Sequence, residues 1–242
     1  MRCVVLLSGG LDSTVSLARA LTESEVALTL TFHYGQRAAA KEIEAAGNLA
    51  SFYRLPHRVV ELPFLQEITK TALVSKKEEL PEPEERELDD LPAATATAAS
   101  VWVPNRNGLF INIAASFAEA LGCERVVTGF NREEAATFPD NSAEFIRVAS
   151  AALSFSTMNR VKVVSYTQNL DKAAIIRLGM SLSVPFQYVW SCYRGGSSMC
   201  GRCESCRRFL RAAAAAGLAG GGPPFALNGG TSGEAGDSSS GR

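Results

Sequence analysis

The chain has 242 residues and a formal net charge of −1, with 46% hydrophobic and 20% charged residues. That length supports one core of about 200 residues with small additions, and the near-neutral charge argues against a protein that holds nucleic acid by electrostatics alone. No apolar run approaches the ~20 residues that cross a bilayer, and the short start of the chain is no secretory signal, so a cytoplasmic protein acting on a small polar substrate is expected.

Residues 3–7 form a short apolar run that ends in a glycine turn, with a helix expected over 14–21. A β-branched run follows at 26–32, then a turn at His33, Tyr34, Gly35 and Gln36, a helix over 38–53 and a third strand at 58–62. Between 73 and 104 the pattern breaks into charged, proline-interrupted sequence, which reads as a solvated insertion or an active-site cover. A helical pattern resumes over 108–121, a strand ends at Gly129, a helix covers 145–155, a strand 161–165, and a helix capped by Asp171 runs to 178. Alternating strands and helices of this kind mark a parallel α/β sheet with right-handed crossovers. The Gly-, Pro- and Ser-rich segment 218–242 is too poor in apolar residues to offset its ordering entropy and reads as a disordered tail. The expected division is thus an α/β domain over 1–185, a cysteine-bearing segment over 186–217, and the tail.

The first strand runs directly into Ser8, Gly9, Gly10, Leu11, Asp12 and Ser13. Glycines without Cβ atoms let a phosphate approach the backbone N–H groups, and the following helix points its positive end at the same anion. Ser8 and Ser13 add hydroxyl donors, whereas Asp12 repels phosphate and is suited to holding a magnesium ion or orienting the loop. The Walker pattern is absent, because no lysine follows the glycines.

Four of the six cysteines fall within fifteen residues, as Cys192-x7-Cys200-x2-Cys203-x2-Cys206. Two overlapping C-x-x-C turns can present thiolates to one tetrahedral ion, which favours a closed, structural zinc site. Nearby arginines (Arg194, Arg202, Arg207, Arg208) partly balance its charge. Disulfides, a redox pair and an iron–sulfur cluster are the alternatives, the first disfavoured in a reducing compartment. Cys3 and Cys123 stand apart in apolar surroundings and read as buried thiols.

The glycine loop resembles the S-G-G-x-D-S motif of the PP-loop ATP pyrophosphatases. Together with the cysteine cluster it resembles the QueC family of 7-cyano-7-deazaguanine synthases. His33-Tyr34-Gly35-Gln36-Arg37 is similar to that family's aromatic-Y-G-Q-R turn, Val103-Pro104-Asn105-Arg106-Asn107 to its V-P-G-R-N, and Asp171-Lys172 to its D-K pair. Ser191-Cys192-Tyr193 resembles its entry to the zinc loop, and the likeness spans about residues 2–213. Two departures stand out. Asn105 replaces a glycine where either residue tolerates positive φ, and Glu134 to Asn141 replaces D-x-S-G-Y-P-D-C, keeping only Pro139 and Asp140.

The resemblance implies a Rossmann-like sheet of the PP-loop/HUP type with a small zinc-binding subdomain. It also implies a C–N-bond-forming ligase of queuosine and archaeosine precursor synthesis that uses ATP and Mg2+ and carries Zn2+. Leu7, Ser8, Gly9, Gly10, Leu11, Asp12, Ser13, Thr14 and Tyr34 are then the nucleotide-binding residues, and Asp12, Ser13, Lys172 and Arg106 the catalytic ones. Asn131, Arg132 and Asp140 fall to the substrate, and Cys192, Cys200, Cys203 and Cys206 to the metal. The partners expected are small molecules (a deazapurine carboxylate and ammonia), with no stable nucleic-acid complex and an apolar helix at 108–121 able to line a homodimer. The competing readings are another AMP-forming PP-loop enzyme, such as a tRNA thiolase or an amide ligase, and a non-catalytic zinc module that binds nucleic acid or protein.

Overall fold

A computed structural model describes residues 1–218; the rest of the segment read as a tail lies outside the described residues. Among these, five parallel strands form one sheet in the order β3-β2-β1-β4-β5. They are β1 (Arg2–Leu6), β2 (Glu25–His33), β3 (His57–Glu61), β4 (Arg125–Thr128) and β5 (Lys162–Ser165). The central strand β1 aligns Val5 with Thr29 on one side and Val127 on the other. Its Cys3, Val4 and Val5 are fully buried, as a parallel sheet covered on both faces requires. Among the described residues no helix is long and apolar enough to cross a membrane.

Helices α1 (Leu11–Glu23) and α2 (Ala39–Phe52) pack their Leu17, Ala20, Ala46 and Leu49 against one sheet face. The opposite face takes α5 (Arg106–Ala120), whose Ile111, Ala114, Ala115 and Ala118 meet Val4 and Val126. The short α3 (Pro63–Ile68) follows β3, and α7 (Ala143–Ser156) precedes β5. The proline-interrupted stretch is less irregular than its sequence suggests, for α4 (Leu91–Ser100) lies within it. Asp90 caps that helix through the Ala93 N–H, and Pro92 sits in its first turn, where its missing N–H costs nothing.

Helix α8 (Lys172–Ser181) opens on Asp171, whose carboxylate accepts the Ala174 N–H at 2.8 Å. Helix α9 (Glu204–Ala216) follows the cysteine segment and packs on α8, burying Phe209 beside Ile175, Ile176 and Val15. Burial of a phenylalanine side chain is worth about 1.5–3 kcal/mol, so α9 is anchored by apolar contact as well as by its cysteines.

The chain leaves β1 toward β2 and leaves β4 toward β5, so the strand order reverses between these neighbours. Ligands of an open parallel sheet collect at such a reversal, outside the carboxyl ends of the strands. Gly129, at the end of β4, makes the approach close: a Cβ there would lie 2.5 Å from the Ser13 nitrogen.

Candidate active site and metal centre

The loop between β1 and α1 is braced by its own serines. Ser13 Oγ accepts the Ser8 N–H at 3.3 Å, lies 3.1 Å from Ser8 Oγ, and donates to the Gly10 carbonyl at 3.1 Å. Gly9 takes φ +78°, and a Cβ at that position would lie 2.6 Å from Ala45 Cβ, so a larger residue is excluded on both counts. No side chain caps α1, which leaves the N–H groups of its first turn directed at the space above the loop. The helix begins at Leu11, three residues earlier than expected, so Asp12 and Ser13 belong to that first turn.

Asp12 faces a buried cation. Lys172 Nζ, at the start of α8, lies 2.6 Å from Asp12 Oδ2 and 2.6 Å from Glu134 Oε1. Burial alone would lower the Lys172 pKa, but the two carboxylates outweigh it and hold the ammonium protonated. The carboxylates compete for one positive charge. Asp12 is pushed up to about 6 by burial, with Lys172 opposing and Glu134 adding to the rise. Burial also works to raise Glu134, yet Lys172 and the hydrogen bonds from Lys172 and Asn131 hold it below the usual carboxylate range. Asp12 Oδ1 is buried and has no partner among the described residues. The short helix α6 (Arg132–Ala135) supplies Glu134, with Asn131 capping it through the Glu134 N–H at 3.0 Å.

Above the loop lies a cavity of about 260 Å3 that reaches from Ser8–Ser13 and Lys172 to Phe110 and Phe138. Phe110 stacks on Phe32 at 4.0 Å between ring centres. Arg106, the first residue of α5, donates to the Tyr34 hydroxyl at 3.0 Å and lies over its ring. Asn105, which precedes it, adopts φ +50°, the left-handed turn that asparagine tolerates. Gln36 stitches the turn after β2, accepting the Tyr34 N–H and donating to Glu42 at 2.8 Å. Burial raises the pKa of Glu42, which also lines the cavity. His33 Nδ1 accepts the Gly35 N–H at 3.2 Å and serves the turn.

Cys192, Cys200, Cys203 and Cys206 place their Sγ atoms within 4.8 Å of one another. Four thiolates about 2.3 Å from a tetrahedral ion have just such mutual spacing. Backbone N–H groups point at the sulfurs, those of Arg194 and Cys200 at Cys192 Sγ and those of Arg202 and Cys203 at Cys200 Sγ, all at 3.3–3.4 Å. The residues therefore fit a metal ion. The centre is also tied to the cavity: the Trp190 N–H donates to the Gly9 carbonyl at 2.8 Å, and the Tyr193 hydroxyl to Glu204 at 3.1 Å. Glu204, Ser205 and Arg208, on the first turns of α9, line the cavity wall.

The family model for "Queuosine biosynthesis protein QueC" matches residues 2–217. The chain belongs to the QueC family. It is 64% identical to the 7-cyano-7-deazaguanine synthase of Pelotomaculum thermopropionicum, over 90% of this chain and 99% of that relative. The enzyme of the same name from Desulforamulus reducens is 62% identical over 90% of this chain and 96% of its own length. That from Desulforudis audaxviator is 57% identical over 90% and 98%.

In this QueC-family chain, Asp12, Ser13, Lys172, Arg106 and Tyr34 all border one cavity, together with most of the glycine loop. Leu7, just after β1, is buried and also lines the cavity, whereas Thr14 Oγ1 is turned back to the Gly10 carbonyl at 2.7 Å. The three residues expected at the substrate are placed differently. Arg132 pairs with Asp171 on the exposed side at 2.8 Å, Asn131 is fully buried as a helix cap, and Asp140 stands behind the cavity wall. Glu134, Glu42, Asn107, Asn141, Glu204 and Arg208 border the cavity and were missed. Glu134 and Asn141 stand at the two ends of the altered loop, Asn107 closes the Val103–Asn107 stretch and Arg208 follows the cysteines, whereas Glu42 and Glu204 carry no such signal.

Proposed function

We propose that the chain catalyses the ATP-dependent conversion of 7-carboxy-7-deazaguanine and ammonia into 7-cyano-7-deazaguanine. The observation that carries this reading is the near full-length match to relatives named for that product, in a chain with a cavity that joins the glycine loop to an aromatic-walled slot. In the first half, a substrate carboxylate oxygen attacks the α-phosphorus of ATP and pyrophosphate leaves. Ammonia then adds to the acyl carbon, AMP departs, and a proton is released, which leaves an amide. In the second half the amide oxygen is adenylated by another ATP. Loss of AMP and the remaining N–H protons forms the nitrile.

The protein's part is positioning and charge neutralisation. The N–H groups of the first turn of α1 hold phosphate oxygens, while the Lys172 ammonium faces the charge that develops on the leaving pyrophosphate. Arg106, fixed by Tyr34, supports the same cavity with a second cation. Asp12, with its buried and unpartnered Oδ1, is the residue suited to hold a magnesium ion, which would supply further neutralisation of the nucleotide's phosphates. The aromatic walls exclude water that would hydrolyse the acyl-adenylate.

For the four-cysteine centre we assign zinc. Four sulfur ligands leave no open position, so the ion supplies a cross-link that fixes the start of α9. We also read the chain as an α/β domain over 1–185 followed by a zinc segment over 186–217. The Trp190–Gly9 and Tyr193–Glu204 bonds support a working role for that segment in shaping the cavity.

The direct test is incubation with 7-carboxy-7-deazaguanine, ATP, magnesium and ammonium, with separation of nucleotides and bases. AMP, pyrophosphate and the nitrile are expected. Release of ADP, or AMP release with no nitrile, overturns the reading.

A further inference from the structure

The cavity wall carries two buried amides, Asn107 in the first turn of α5 and Asn141 just after Asp140. They are 8% and 4% exposed. Both turn their nitrogens toward the same residue. Asn141 Nδ2 donates to the Asp140 carboxylate at 3.2 Å, and Asn107 Nδ2 lies 3.5 Å from the Asp140 carbonyl oxygen. An amide whose nitrogen is held by an acceptor must offer its oxygen on the other side. Among the described residues neither Oδ1 has a hydrogen-bond partner, neither is fully buried, and both residues line the cavity. The Asn141 carbonyl is itself held by Gln168 Nε2 at 3.1 Å, which fixes this corner to the loop after β5. Phe138, Phe110 and Phe130 wall the slot beside the amides and suit a flat ring.

We propose that Asn107 and Asn141, oriented by Asp140, form a pair of acceptors that reads the N–H edge of the substrate ring, taking a ring N–H and the neighbouring exocyclic amine of a guanine-like base. The inference rests on the proposed function and names the part of the site that selects its substrate. Two acceptors side by side match a donor–donor edge and reject a ring without the amine, because one buried acceptor is then left unsatisfied. Asp140 is a positioning residue in this scheme: it touches the amides and not the ring. The altered loop thus retains the aspartate but carries its recognition through Asn141.

The experiment compares 7-carboxy-7-deazaguanine with 7-carboxy-7-deazahypoxanthine, which lacks the exocyclic amine, in binding by calorimetry and in kcat/KM. The full-length protein is expected to prefer the amine-bearing compound by about a hundredfold, within the range for an unmatched buried acceptor. Asn141→Leu and, separately, Asn107→Ser should weaken binding of the amine-bearing compound by about tenfold or more. Binding of the other compound should change little, so the preference collapses. A preference that persists in both variants, or an equal loss for both compounds, overturns the proposal. The two readings fail differently: absence of nitrile formation by the unaltered protein counts against the proposed function, whereas the binding preference tests the acceptor pair without any turnover.

Discussion

Replacement of Lys172 by methionine removes the one cation shared by Asp12 and Glu134 and keeps the length of the side chain. At 2.6 Å from each carboxylate, the ammonium gains about 6 kcal/mol per contact at an effective dielectric constant of about 20, before the cost of burying it. Loss of one partner from a buried pair typically costs about 3–5 kcal/mol, because the remaining charge stays uncompensated. The Glu134 side chain is 34% exposed and partly screened, which places the expected loss near about 3 kcal/mol at pH 8. The loss depends on pH with a definite sign. Asp12 already titrates at about 6, above the ordinary 3.8, so its stabilising contribution is present at low pH and fades as pH rises through 6. Without Lys172 its pKa moves higher still, and protonation relieves the repulsion with Glu134. Urea denaturation of Lys172→Met and the unaltered protein should therefore show a gap that is widest at pH 8 and narrows toward pH 5. Lys172→Met with Glu134→Gln should recover a large part of the loss at pH 8. Equal stability at pH 8, or a gap independent of pH, would refute this account of the triad.

Further outcomes follow from the same geometry. Asp12→Ala should abolish turnover, a loss of at least about a hundredfold in kcat, with an unchanged circular dichroism spectrum. In the unaltered protein kcat/KM should fall as pH drops below about 6, where Asp12 takes up a proton; a flat profile from pH 5 to 7 counts against a requirement for its charge. Gly129→Ala places a Cβ 2.5 Å from the Ser13 nitrogen, so the start of α1 must shift; overpacking of this kind costs about 1–3 kcal/mol, and ATP binding should weaken more than the melting temperature falls. Chelation of the metal, or Cys206→Ser, should lower the thermal midpoint and raise KM for ATP together, since Trp190 joins the cysteine segment to Gly9. Metal analysis that finds iron, or well under one zinc per chain, removes the zinc assignment.

The loops that border the cavity show what a linear pattern can carry. Ser8 to Ser13 and the four cysteines each lie a few residues apart, so spacing alone marks them as local clusters. Asp171 was legible as a cap because capping is likewise a local hydrogen bond. Helix α4 was overlooked although Asp90 and Pro92 are ordinary start signals, for the charged run before it dominates the composition. Glu134 and Lys172 are 38 positions apart and Lys172 and Asp12 are 160 apart, and no local rule brings them to 2.6 Å. Arg132 and Asn131 show the converse, since their residue types suit a substrate but their places at a helix start commit them to Asp171 and to capping.

By itself the sequence determined the parallel α/β class, the glycine loop after β1 and the cysteine cluster, because each is written in residue types at short, fixed intervals. Only the tertiary structure decided that Lys172 stands between Asp12 and Glu134, that α9 walls the cavity, and that Asn107 and Asn141 face it while Asp140 does not. The reversal of strand order between β1 and β4 brings those distant loops to one edge of the sheet, and burial there gives their charges and amides partners that chain order does not reveal.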